Sequence, residues 1–284
     1  MKIANEVVAA DKTRKFLIEL ADGKKVESVL IPHKRTLCAC ISSQVGCAMK
    51  CSFCATGMMG FSRNLTADEI VGQLKLMQSV SEQKITNVVF MGMGEPLHNY
   101  EATVEAVRRI HDEFALSWQK ITVSTVGIPD KIRALGKDAK CKLALSLHAP
   151  NDELRSRIVP LNSRYKIQEV LDACKEFPLT KKNPLMIEYV LIAGVNDSIE
   201  NAKELAVLLK QIPHIVINLI QYNPVAGISF IRPTKETAET FKQTLISAGF
   251  KTIIRTTKGL DANAACGMLT TKKNIKGKLV PIAE

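Results

Sequence analysis

Two short runs near the start, Lys15 to Leu20 and Lys25 to Ile31, alternate apolar and polar residues on either side of the turn Ala21-Asp22-Gly23-Lys24. Period-two alternation around a tight turn predicts a β-hairpin, and Pro32 ends it. Beyond it the pattern changes to short β-rich runs separated by stretches whose apolar residues recur every three or four positions. The runs predict strands over Thr36 to Ser42, Asn87 to Met91, Lys120 to Ser124, Lys142 to Leu147, Leu185 to Leu191, Val216 to Ile220 and Thr252 to Ile254. The helical stretches lie near Thr66 to Val80, Tyr100 to Glu113, Pro129 to Leu135, Ile167 to Phe177, Ser198 to Lys210 and Thr234 to Ala248. Thr66-Ala67-Asp68-Glu69 is a capping-box sequence, and Gly249 stands where a helix C-terminal glycine belongs.

Six strand-helix units in succession require parallel strands joined by helical crossovers, in an open doubly wound sheet or in a complete or partial barrel. Periodicity leaves that choice open. The C-terminal ends of the strands carry Met91-Gly92-Met93-Gly94-Glu95-Pro96, Ser124-Thr125-Val126-Gly127, Ser146-Leu147-His148-Ala149-Pro150-Asn151-Asp152 and Asn218-Leu219-Ile220-Gln221-Tyr222-Asn223-Pro224. Each alone reads as a turn or a helix cap. Four on one layer of a parallel sheet read as an active site.

At 284 residues and 46% hydrophobic content, the composition is that of a globular protein with a sizeable core. No run approaches the roughly 18 uncharged apolar residues of a membrane span, and Met1-Lys2-Ile3-Ala4-Asn5-Glu6 lacks a signal-peptide core. The expectation is a cytoplasmic protein without a membrane partner, in which eight clustered cysteines favour metal binding or catalysis over disulfides. The formal charge of +11 is compatible with a polyanionic partner. Basic residues concentrate at Lys131 and Arg133, at Lys181-Lys182, and in the tail from Lys272 to Lys278, where a solvated helix end or tail is the ordinary reading.

The most specific chemistry is Gly46-Cys47-Ala48-Met49-Lys50-Cys51-Ser52-Phe53-Cys54, a CxxxCxxC run with no fourth ligand nearby. A closed zinc site uses four protein ligands, whereas an iron-sulfur cluster held by three cysteines keeps one iron open to substrate or cofactor. The spacing favours the cluster, with zinc and buried or redox cysteines as the alternatives.

Ser42-Ser43-Gln44-Val45-Gly46-Cys47, Met91-Gly92-Met93-Gly94-Glu95-Pro96, Leu145-Ser146-Leu147-His148-Ala149-Pro150-Asn151-Asp152 and Asp261-Ala262-Asn263-Ala264-Ala265-Cys266-Gly267 closely resemble the RlmN/Cfr family of radical S-adenosylmethionine (SAM) RNA adenine methyltransferases. The resemblance runs from about Glu27 to about Leu269 with its motifs in the family's order. It implies an α/β fold, a radical SAM partial (β/α)6 barrel with a short N-terminal β-hairpin extension. The expected organisation is an extension over 1–36, the barrel over 37–257, and a C-terminal segment over 258–284 that carries a methyl-bearing cysteine and a basic tail.

The resemblance further implies that Cys47, Cys51 and Cys54 ligate a [4Fe-4S] cluster and that Gly94, Glu95, Ser124, Ser146, Leu147, His148 and Asn223 line a SAM pocket. Cys266 matches the cysteine that such enzymes methylate, Cys40 its resolving partner in a transient disulfide, and Glu27 a general base. Taken without the family, Glu27 is an ordinary exposed strand carboxylate. Cys38, Cys141 and Cys174 match no such role and are assigned to structure. In the similar enzymes one SAM methylates the cysteine, a radical generated from a second SAM activates that methyl group, and the carbon adds to the base. This route suits carbon 2 of adenine, which has no nucleophilic lone pair.

The implied substrate is 23S rRNA, with tRNA as a further target, and turnover implies a cellular electron donor such as flavodoxin. A monomer is expected. One branch of the family methylates carbon 2 and the other carbon 8, which confers antibiotic resistance; carbon 2 is the expectation here. A cluster-containing RNA-binding or regulatory protein without methyl transfer is the alternative of another class, against which the presence of both Cys40 and Cys266 argues. Two departures stand out. Only 26 residues precede Glu27, where bacterial members typically carry a helical domain that helps grip RNA, and Lys258-Gly259-Leu260-Asp261-Ala262-Asn263 replaces a usually more acidic segment.

Overall fold

The computed structural model describes residues 1–271, so the lysine-rich stretch from Lys272 to Lys278 lies outside the described residues. Three antiparallel strands open the chain: β1 (Lys2–Val8), β2 (Arg14–Glu19) and β3 (Lys25–Pro32). The expected hairpin is β2–β3. The additional strand, β1, is almost wholly exposed, so its sequence carries no alternation to reveal it.

β4 (Leu37–Cys40) follows, then a small antiparallel pair, β5 (Gln44–Gly46) and β6 (Phe61–Asn64), with α1 (Ala55–Met59) between them. The single strand expected over Thr36 to Ser42 therefore stops at Cys40, and the chain turns into the cysteine loop. The regular alternation comes next: α2 (Ala67–Ser79), β7 (Asn87–Phe90), α3 (Tyr100–Phe114), β8 (Ile121–Thr125), α4 (Pro129–Asp138), β9 (Lys142–Ser146), α5 (Asp152–Ile158), α6 (Ile167–Lys175), β10 (Leu185–Leu191), α7 (Ile199–Leu209), β11 (Ile215–Gln221), α8 (Lys235–Ser247) and β12 (Lys251–Ile254). Of the helices, only the short α1 and α5 had no counterpart in the periodicity, being shorter than the two turns a repeat needs.

One ten-stranded sheet runs β1-β2-β3-β4-β7-β8-β9-β10-β11-β12. β3 pairs antiparallel with β4, and every pairing from β4 to β12 is parallel, as helical crossovers demand. Because side chains alternate across a strand, the register lines up one inner row: Ser146 opposite Glu188, Glu188 opposite Asn218, and Asn218 opposite Ile253. Residues of β4, β7, β8, β9, β10 and β11 and the residue after β12 converge on two adjoining cavities, so the sheet curves around them as an open barrel wall. The opposite face packs on the helices through side chains such as Val88, Val123, Leu143, Ile187 and Leu219, all buried. No helix among the described residues is long and apolar enough to cross a membrane.

Helix placement follows local chemistry. Thr66 and Glu69 form the reciprocal capping box on α2, while Ser198 and Thr234 cap α7 and α8 through their hydroxyls. α2 is fastened to the sheet by Gln73, which is wholly buried. Its Oε1 accepts from Ser28 Oγ at 2.7 Å and from Ser42 N at 2.9 Å, and its Nε2 donates to Ser42 O at 2.9 Å. Gln73→Leu keeps the volume and removes these bonds, leaving buried donors and acceptors unpaired. The expected cost is about 3 kcal/mol, read as a lower urea midpoint at unchanged slope. A loss below about 1 kcal/mol would show that Gln73 does not fasten the helix.

Candidate active site

The cysteine loop leaves β5 and passes over the C-terminal ends of the parallel strands. Gly46 stands at a φ of 79°, and a Cβ there would lie 1.9 Å from Gly60 O, so only glycine lets the two ends of the loop meet. Cys47 N then donates to Gly60 O at 2.9 Å, and Ser52 N donates to Ile158 O at 3.0 Å at the end of α5. Cys54 caps the start of α1. Cys47, Cys51 and Cys54 all line the first cavity.

Burial pushes the Cys47 thiol up to about 12 and raises Cys51 and Cys54 as well, the last opposed by the N–H groups of Gly57 and Thr56. Three thiols whose ionisation burial resists are poor free nucleophiles and become thiolates only against bound positive charge. Among the described residues no three His, Cys, Asp or Glu side chains converge to hold a single metal ion. A zinc ion would need its thiolates at about 2.3 Å from one point, whereas a cluster takes one thiolate per iron. The donor set therefore suits a cluster.

The same cavity is lined by Gly94, Glu95, Ser124, Ser146, His148, Asn223 and Cys266, so most of the residues singled out in the sequence do meet. Gly92 and Gly94 are required by packing: a Cβ on Gly92 would lie 2.7 Å from Ile41 O, and one on Gly94 2.6 Å from Gln44 Cβ. Glu95 is buried; its carboxylate accepts from Leu97 N at 3.0 Å and from Val126 N at 2.9 Å, and burial still raises its pKa to about 6. Ser124 Oγ and Ser146 Oγ lie 3.3 Å apart on adjacent strands. His148 has a φ of 61° and stacks edge-on against Phe53 at 4.9 Å. Its Nδ1 accepts from Val190 N at 3.1 Å, which leaves Nε2 as the donor of a neutral ring. Burial, aided by the charge of Arg155, depresses its pKa to about 3. Leu147 differs from the rest: its side chain belongs to the main hydrophobic core, and only its backbone takes part, through Glu188 O and Arg155.

A larger second cavity, of about 640 Å³, opens beside the first and is lined by Lys12, His33, Lys34, Cys40, Arg255, Lys258 and Cys266. Cys266, Met91, Ile220, Asn223, Arg255 and Leu269 border both cavities. The segment bearing Cys266 is held from several sides. Asn223 Nδ2 donates to Cys266 O at 3.1 Å, Ala55 N to Gly267 O at 2.8 Å, and Thr56 Oγ1 to Leu269 O at 2.7 Å. Cys266 is exposed and Cys40 buried, and all eight cysteines are free. The disulfide implied for Cys40 and Cys266 is thus not formed, and burial, which drives the Cys40 thiol well up, opposes the thiolate that would form it at rest.

Glu27 lines neither cavity, and it is not the exposed carboxylate that its strand position suggests. Only 5% of it is exposed, its Oε1 lies 3.0 Å from Lys15 Nζ, and its Oε2 accepts from Thr270 N at 2.8 Å. β3 is covered on both faces, by α2 and by the segment around residues 262–270, which local alternation could not foresee. Burial raises the Glu27 pKa despite Lys15. Arg155 and Arg255 went unnoticed in the sequence, because isolated arginines carry no local signal. Arg255 Nη1 lies 3.3 Å from Glu188 Oε2, and the charges of Cys266, first, and Glu188 hold it above its usual value.

Residues 41–206 match the radical SAM superfamily. The chain is 48% identical over 271 residues to a probable dual-specificity RNA methyltransferase RlmN of Thermotoga petrophila, covering 94% of this chain and 78% of that protein. It is 44% identical over 290 residues to the dual-specificity RNA methyltransferase RlmN of Nautilia profundicola, with 96% and 82% covered. The chain belongs to the RlmN family of radical SAM RNA methyltransferases. The crystal structure of a radical SAM methyltransferase from Sphaerobacter thermophilus superposes with a TM-score of 0.90 at 44% identity, over 95% of this chain and 81% of that one. The RlmN fold expected here, antiparallel entry strands followed by parallel β/α units, is the one observed. Membership in the superfamily brings a [4Fe-4S] cluster and SAM, and the zinc alternative falls.

Two of the buried titrating groups, His148 and Glu95, bend the stability profile in opposite senses. The unfolded chain protonates His148 below its ordinary 6.5 while the folded chain refuses the proton until about 3, so stability is lost as pH falls through that window. Glu95 is protonated first in the folded chain, which adds stability as pH falls from about 6 to the ordinary 4.5. His148→Gln removes the first effect alone. Its urea midpoint should fall less than the wild type's between about pH 7 and about pH 5; an equal fall would mean that the ring is protonated in the folded protein.

Proposed function

We propose that this chain methylates carbon 2 of adenosine in 23S rRNA and in tRNA, with Cys266 as the methyl carrier. The single observation that carries the reading is the position of Cys266 on the wall shared by the two cavities: one holds the three cysteines and the serine, histidine and asparagine side chains, and the other is open and rimmed by Lys12, Lys34, Arg255 and Lys258. A thiol there is reachable from a cofactor side and from a basic side suited to a phosphate backbone. The names of the relatives, dual-specificity RNA methyltransferases, support RNA as the substrate, and the family resemblance of the motifs favours carbon 2.

In this reading Cys47, Cys51 and Cys54 hold the cluster, which with SAM supplies the methyl group and the radical chemistry. Gly94, Glu95, Ser124, Ser146, His148 and Asn223 form the wall of the SAM site: the serines and the neutral His148 offer hydrogen bonds, and Leu147 contributes through its backbone. Cys266 takes the methyl group on sulfur as a nucleophile. Glu27, its pKa raised by burial, removes the proton from the adducted base once its contacts to Lys15 and Thr270 open. Cys40, as a thiolate, attacks the Cys266 sulfur: the S–S bond forms, the bond from that sulfur to the transferred carbon breaks with its electron pair on the carbon, and the carbon takes up a proton to leave methylated RNA. The disulfide then takes up two electrons and two protons from cellular thiols.

Residues 258–271 act as the carrier arm, 37–257 as the barrel and 1–36 as its antiparallel extension. The protein works as a monomer in the cytoplasm, with an electron donor such as flavodoxin reducing the cluster.

The test is anaerobic reconstitution with iron and sulfide, incubation with methyl-labelled SAM and mixed rRNA and tRNA, and nucleoside mass spectrometry. 2-Methyladenosine should appear, and Cys266→Ala should abolish it. Glu27→Gln and Cys40→Ala should leave Cys266 methylation intact but lower product release at least about a hundredfold. 8-Methyladenosine would move the chain to the other branch, and a fully loaded protein that methylates no RNA would refute the proposal.

A further inference from the structure

Beneath the cysteine loop lies a cation whose hydrogen-bond partners are all neutral. Arg155 is wholly buried. Its Nε donates to Leu147 O at 3.0 Å and its Nη1 to Asn162 Oδ1 at 3.0 Å, while Nη2 donates to Val126 O and, at 3.2 Å, to Ser146 O. The guanidinium thereby ties the ends of β8 and β9 to α5. Burying an ion among dipoles alone is costly, and removing one by evolution is easy where nothing needs it. Its complete burial points to a negative charge nearby that these hydrogen-bond partners do not themselves provide.

Burial is the strongest influence on Arg155 and lowers its pKa to about 10; the groups that favour its charge are Cys51, then Asp152 and Cys174. Cys174 is a buried thiol in the core. Asp152 reaches Arg155 only through Asn162, whose Nδ2 donates to Asp152 Oδ1 at 2.9 Å. His148 faces the same charge, which adds to burial in keeping the ring neutral. Cys51, by contrast, lies in the loop that α5 itself carries, since Ser52 N donates to Ile158 O. Arg155 and the cysteine loop are therefore joined through α5, while Arg155 lies behind the cavity wall, bonded to Val126 and Ser146, which line it.

We propose that Arg155 is a positioning residue that holds a fixed positive charge against the cysteine-held cluster and so raises its reduction potential. The inference rests on the cluster reading above. A cluster held by three thiolates gains one negative charge on reduction, and a fixed cation in a low-dielectric setting favours the more negative state. A brace without electrostatic purpose would alter stability and iron content and leave the potential where it was.

The full chain and three variants, Arg155→Met, Arg155→Lys and Asp152→Asn, are reconstituted anaerobically, assayed for iron, and titrated potentiometrically with the reduced cluster followed by electron paramagnetic resonance. Arg155→Met should weaken reduction about tenfold, a shift of about −59 mV for a one-electron couple. Arg155→Lys, whose ammonium gives up its charge more easily when buried, should lose less than Arg155→Met. Asp152→Asn removes the nearest acid and leaves every bond of Arg155 in place, so it should move the potential upward. An unmoved potential in Arg155→Met at wild-type iron content overturns the proposal, as does a fall or no change in Asp152→Asn. If Arg155→Met does not fold, Arg155→Gln, which keeps hydrogen-bonding groups without the charge, is titrated in its place and judged by the same two outcomes. Wild-type protein that binds no cluster fails a different claim, the cluster reading itself, and is recognised by its iron content.

Discussion

The parallel sheet ends in loops that dive under one another instead of running out to solvent, so backbone groups just past the ladder are buried and need partners. Side chains supply them. Gln73 serves both backbone groups of Ser42, and Asn99 Nδ2 serves Ser43 O and Leu65 O. Glu95 serves Leu97 N and Val126 N, and Arg155 serves Val126, Ser146 and Leu147. Asn196 bridges His148 O, Val190 O and Ile192 N. The unusual φ of His148 is held in this way from both sides. The site is rigid because its floor is a hydrogen-bonded network in which each member completes a neighbour's valence.

That network also accounts for the site's electrostatics. Buried in one place are three thiols, a carboxylate, a neutral imidazole and a guanidinium, and burial pushes each toward its neutral form. The arrangement suits a charged cofactor: the thiols need positive charge to ionise, the imidazole is fixed as a donor, and the guanidinium is prepaid positive field. Around Cys266 the order is reversed, with an exposed sulfur beside the Arg255–Glu188 pair and a basic rim.

Much of this was legible in the chain because periodic and short-range signals are local. Six helices and seven parallel strands follow from the change of period after Pro32, and the CxxxCxxC run marks its own loop. The glycines of Met91-Gly92-Met93-Gly94-Glu95 were visible as a turn, but their reason, the close approach of Ile41 and Gln44, comes from a neighbouring strand. Glu27 was misread as exposed for the same cause, since the segment that covers it lies more than two hundred residues away in the chain. Arg155 was invisible because its four acceptors come from different elements, and an arginine after Leu154 on a short helix resembles any surface arginine.

The position of β3 beside β4 has a further consequence. A strand with an unpaired edge is a template for another chain, and β4, which carries Cys40, would have such an edge without β1–β3. The antiparallel strands move that liability outward to β1, whose pairing with β2 is interrupted by a bulge between Ile3 and Asn5 and which carries Lys2, Asn5 and Glu6. At the other end the sheet stops with β12, four residues long and opened by Lys251. Both rims are thus poor templates for aggregation. The strands that include the buried Glu27 also keep β4, with its buried Cys40, from seeding contacts between chains.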